Sequence, residues 1–125
     1  MNYEELDKKI YQETAGTDWL DKKLVKALAP HINRSDILKF VLDCSNSEND
    51  MVLILVHHSK VFIATNKIFG KPDVVAINRS SITSVFQQKS IFRTSIVLET
   101  SNRTFKFNLK NKKKNIHSIN KFLNL

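Results

Sequence analysis

With 125 residues, 42% hydrophobic and 26% charged, the chain has room for one core and too much Val, Ile, Leu and Phe for a disordered segment. Its longest apolar run, residues 51–56, falls well short of the roughly 18 residues a membrane-spanning helix needs, and its single cysteine, Cys44, leaves no intrachain disulfide and suits a packing role. The net charge of +8 is unevenly spread: residues 1–50 carry 7 Lys and Arg against 10 Asp and Glu, residues 51–125 carry 13 against 2. A basic C-terminal part points to an acidic partner, an anionic surface, or contact between the protein's own two parts.

The first residues are acidic and amphipathic, unlike the basic start and apolar stretch of a secretory signal, which predicts a cytoplasmic protein. Tyr3, Leu6 and Ile10 fall at helical spacing before Ala15 and Gly16 break the pattern. Thr17 or Asp18 can cap a second helix, whose stripe of Leu20, Leu24, Ala27 and Leu28 ends at Pro30. Residues 1–31 thus form a helical prefix. Its stripe is expected to dock on the domain's own core, the alternative being a partner-binding face.

From Ile37 the texture changes to short β-branched and aromatic runs separated by polar turns. ILKFVLDC, MVLILVHH, VFIATN, DVVAIN, ITSVFQQ, TSIVLETS and RTFKFNLK read as seven strands at meander spacing. In the last, Phe105, Phe107 and Leu109 alternate with Thr104, Lys106 and Asn108, marking one buried and one wet face. Residues 51–56 do not alternate, so that strand is expected to be covered on both faces, with the N-terminal helices as one cover. The three sequons, at Asn33, Asn78 and Asn102, are read as tight turns rather than glycosylation sites. From Asn111 onwards the period is helical again, with Ile116, Ile119, Phe122 and Leu123 on one side.

Seven strands closed by an amphipathic helix, with Lys67-Ile68-Phe69-Gly70-Lys71 after a strand ending at Asn66, then Ile82-Thr83-Ser84-Val85, Phe92-Arg93, Ile96-Val97-Leu98 and Thr100-Ser101, resemble the bacterial pleckstrin-homology-like (PH-like) family, and within it the YokE-like subgroup. The resemblance covers roughly residues 37–125. It implies an α+β fold: a bent antiparallel barrel of about seven strands with a C-terminal capping helix, here a PH-like domain over residues 32–125 preceded by the prefix. It implies no catalytic set, no metal and no cofactor. The loop that wraps inositol phosphates in other PH domains runs here from Asp43 to Asp50 and is acidic, so a phosphate there would meet like charge.

Two segments stand out as candidate contact sites. The tip Lys67, Ile68, Phe69, Lys71 mixes apolar side chains with cations around Gly70. Either Ile68 and Phe69 fold back on the barrel, or Phe69 enters a membrane or partner while Lys67 and Lys71 meet anions. The lysines Lys110, Lys112, Lys113 and Lys114, assisted by Lys121, oppose the dipole at the start of the last helix, which marks them as a candidate anion-facing surface. His57 and His58, as neighbours in a strand, are expected to point to opposite faces and so not to share a metal ion. No nucleophile elbow or grouped acid and base emerges. The sequence therefore describes a non-catalytic binding module for a protein partner or for self-association. The alternative is electrostatic binding of an anionic membrane or of nucleic acid, although no base-reading motif supports specific nucleic-acid recognition.

Overall fold

A strand with no polar side needs apolar cover on both faces, and β2 (Met51–His57) receives it in the computed structural model, which describes residues 1–14, 20–109 and 116–125. Val52, Ile54 and Val56 face one core, while Leu53 and Leu55 face a second. Around β2 lie β1 (Leu38–Ser45), β3 (Lys60–Asn66), β4 (Asp73–Asn78), β5 (Ile82–Lys89), β6 (Thr94–Thr100) and β7 (Thr104–Leu109). They form one antiparallel sheet in the order β4-β3-β2-β1-β7-β6-β5. Each of the seven runs read from the sequence is a strand, and the α+β, PH-like plan holds.

The first core lies inside the curled sheet and is closed by α3 (Ile116–Leu123). Ile119 and Phe122 are buried there, and the Phe122 ring meets Phe40 edge-on with centroids 6.0 Å apart. Ile116, expected in the same stripe, is about half exposed instead. On β7, Phe107 is buried and Phe105 and Leu109 are partly so.

The second core lies on the opposite face of β1, β2 and β3, under α1 (Tyr3–Glu13) and α2 (Lys22–Leu28). Leu6, Ile10, Leu24, Val25 and Leu28 are buried against Leu38, Val41, Leu53, Leu55 and Phe62. The prefix thus docks on the domain itself, with Val25 taking the buried place expected of Ala27. Helix α1 starts at a capping box: Asn2 Oδ1 accepts from the Glu5 amide at 2.8 Å and Glu5 Oε1 accepts from the Asn2 amide at 3.4 Å. The Arg34 guanidinium, 2.7 Å from Glu5, and the Asn2 amide hold the Glu5 carboxyl below the usual carboxylate range. The cap of α2 is Asp21, whose carboxylate accepts from the Leu24 amide at 3.1 Å. Thr17 and Asp18, read as its cap, lie outside the described residues.

Two features position the loops. The β1 and β7 strands meet over a short seam, Cys44 opposite Leu109 and Ser45 opposite Asn108. Asn108 ties that seam sideways, donating to the Asn46 carbonyl at 3.2 Å and accepting from Ser95 Oγ at 2.9 Å. The left-handed residues among those described are Asn49 in the β1–β2 turn, with φ 64°, and Gly70 in the β3–β4 loop, with φ 97°. Asn33 and Asn102 sit at turns without that geometry, and Asn78 ends β4.

Candidate functional site

The β3–β4 loop leaves the sheet after Asn66 and returns at Asp73. Gly70 turns it with a backbone that a side chain would strain, and nothing lies within 4 Å of where a Cβ would stand. The tip therefore projects into open space. Ile68 is 81% exposed and Phe69 90%, so neither folds back on the barrel. Lys67 and Lys71 are exposed on either side of them.

A second tip repeats this chemistry. Between β5 and β6, Ser90 and Arg93 close a turn: the Ser90 amide donates to the Arg93 carbonyl at 2.8 Å, and the Arg93 amide donates to Ser90 Oγ at 3.2 Å. Its two corner residues are Ile91, 94% exposed, and Phe92, 91% exposed, with Lys89 before the turn and Arg93 closing it. Corner positions ordinarily go to Gly, Asn, Asp, Pro or Ser. An Ile-Phe pair there gains nothing from local backbone chemistry and nothing from burial. Sequence reasoning used Phe92 and Arg93 only as markers of fold. The signal that finds them is the recurrence of Ile-Phe between basic residues, Lys67-Ile68-Phe69-Gly70-Lys71 and Lys89-Ser90-Ile91-Phe92-Arg93.

The β1–β2 turn stands between the two tips. Asn46, Glu48 and Asp50 line a groove of about 340 Å³ together with Lys67. Ser45 and Asn49 line another, of about 350 Å³, with Phe92 and Arg93. The turn is closed on itself: Asn46 Oδ1 accepts from the Glu48 and Asp50 amides at 3.0 and 2.9 Å. Glu48, Asp50 and Asp73 line the first groove together with Lys67, Arg103 and Lys106, so its wall is mixed in charge.

Beside the β3–β4 tip lies a cleft of about 490 Å³ floored by Ala27, Pro72 and Val74 and rimmed by Lys23, Lys26 and Lys71. The prefix thus places two of its lysines next to the basic tip. Lys121 is exposed on α3, while Lys110, Lys112, Lys113 and Lys114 lie outside the described residues.

The two histidines do not diverge as expected. His57 ends β2, the chain bends at His58, and the rings stack with centroids 4.5 Å apart. Donor atoms of Asp36, His57 and His58 come within 4.8 Å of one another. Their chemistry is already committed: His57 Nδ1 accepts from the Ser59 and Lys60 amides at 3.0 and 2.9 Å, and His58 Nδ1 accepts from the Ile37 amide at 3.3 Å. A neutral His57 then keeps its proton on Nε2, which faces Asp36 Oδ2 at 4.0 Å, the wrong tautomer for a metal ligand at that atom. Burial pushes the His57 imidazole below its ordinary range, and the Asp36 carboxylate opposes that shift. The group is a structural lock on the β2–β3 turn.

A family model described as a bacterial PH domain matches residues 32–124. Comparison with curated proteins and with solved structures found no match.

Proposed function

Because the chain belongs to the bacterial PH domain family, whose members serve in general as binding modules, we propose that it is a non-catalytic module that docks on an anionic membrane surface through the β3–β4 tip. The observation that carries this reading is the pair Ile68 and Phe69, held out in solvent on a glycine turn with Lys67 and Lys71 beside them. Apolar side chains of this kind enter the boundary between headgroups and acyl chains, and each flanking cation adds about 1 kcal/mol near an anionic leaflet. Lys23 and Lys26 extend the positive rim behind the tip. The YokE-like placement within the family belongs to the same reading, supported by the order of the motifs from Lys67 to Ser101.

A partner-protein role through the prefix is less well supported, because the apolar stripes of α1 and α2 are spent on the sheet. Co-sedimentation with phosphatidylcholine vesicles, with and without phosphatidylglycerol, separates the two. The expected result is binding that needs the anionic lipid, weakens with salt, and falls about tenfold or more in Lys67→Glu/Lys71→Glu. Absence of binding at low salt overturns the proposal.

A further inference from the structure

We infer that the β5–β6 turn is a second membrane anchor, so that the domain rests on an anionic bilayer by two Ile-Phe tips at once. The inference builds on the docking reading above and extends it to residues on the other half of the sheet. Ile91 and Phe92 are as exposed as Ile68 and Phe69, and they too stand among cations, Lys89 and Arg93. Their placement at the corners of a hydrogen-bonded turn keeps them there, since the Ser90 and Arg93 bonds close the hairpin beneath them. Side chains so badly suited to a turn mark a position where the local rule yields to another requirement.

The occupant follows from charge and topology. Both tips offer apolar side chains among fixed positive charges, the complement of acyl chains beneath anionic headgroups. The tips flank one structure, the β1–β2 turn, which shares a groove with Lys67 on one side and with Phe92 and Arg93 on the other. A single weak insertion gives marginal, reversible attachment, and a second one on the same rigid body acts at high effective concentration.

The test uses the full chain and vesicles of phosphatidylcholine with phosphatidylglycerol. Ile91→Ser/Phe92→Ser and Ile68→Ser/Phe69→Ser change only exposed side chains and leave the fold intact, checked by circular dichroism. Each pair is expected to lower vesicle affinity about tenfold or more, the loss corresponding to one inserted aromatic tip. A polarity-sensitive dye on Phe92→Cys should shift to the blue on adding these vesicles; the other cysteine, Cys44, is buried. If Ile91→Ser/Phe92→Ser binds like the unmodified chain while Ile68→Ser/Phe69→Ser does not, the second anchor is overturned and the first survives. If the unmodified chain fails to bind, both fall. A dimer that Ile91→Ser/Phe92→Ser dissolves in light scattering, with vesicle affinity unchanged, assigns the turn to self-association and also overturns the inference.

Discussion

His57 shows how one side chain can couple a turn to solution conditions. Its Nδ1 serves as acceptor for the Ser59 and Lys60 amides, so protonating that atom would set three N–H groups against one another. Burial already depresses its pKa below the ordinary 6.5, His58 and Lys60 add to the depression, and Asp36 only partly offsets it. The folded state therefore binds fewer protons than the unfolded one once the pH drops toward 6.5. Its contribution is complete above that value and is lost as the pH falls toward the folded pKa, with a slope of at most about 1.4 kcal/mol per pH unit. His57→Asn, whose Oδ1 can accept the same two amides without titrating, should flatten that loss. Urea denaturation of both proteins between neutral and mildly acidic pH checks it, and parallel curves would refute the assignment. The stacking of His57 and His58 was not legible in the sequence, because alternation holds only while a strand continues and β2 stops at His57. Exposure of Ile68, Phe69, Ile91 and Phe92 was equally hidden: hydrophobicity marks what can be buried, and only the turn geometry says that these are not.

At the scale of elements, the pattern carried further. The unbroken apolar run of β2 reported a two-sided environment, and the alternation in β7 set Phe105, Phe107 and Leu109 on the inner face, of which Phe107 is the buried one. Phe107 and Phe122 reach the first core from a strand and from a helix, so each tests one of the two element assignments. Phe107→Ala and Phe122→Ala should each lower stability by about 3–5 kcal/mol in chemical denaturation, the usual loss for a buried aromatic. Losses below about 1 kcal/mol would place those rings outside the core. Element ends were harder to read than element types. Asp21 caps α2, where Thr17 or Asp18 was read from the sequence, because capping depends on backbone angles that periodicity does not contain. Ile116 drops out of the buried stripe for the related reason that the first turn of a helix can overhang the core it covers.

For the whole molecule, the match over residues 32–124 and the packing describe different units. The prefix supplies Leu6, Ile10, Leu24, Val25 and Leu28 to the second core. Each such side chain gains about 1.5–3 kcal/mol on burial, so together they rival the ~5–15 kcal/mol net stability of a typical domain. A chain beginning at Ile32 should therefore lose cooperative unfolding and bind a hydrophobic dye at Leu53, Leu55 and Phe62. A sharp thermal transition in that shortened chain, without dye binding, would show that the sheet folds without its helices. The prefix lies over the sheet formed by β1, β2 and β3 and brings Lys23 and Lys26 to the cleft they share with Lys71 of the β3–β4 tip.

The short seam between β1 and β7 also orders events in time. Every other neighbouring pair of strands joins segments adjacent in sequence, whereas Cys44 and Ser45 must wait for Leu109 and Asn108. Closing so long a loop loses chain entropy before the contact returns anything. Hairpins can thus assemble on either side first, and the seam forms late, secured by Asn108 and by α3 lying across β1 and β5. The two Ile-Phe tips belong to the two halves that this seam joins.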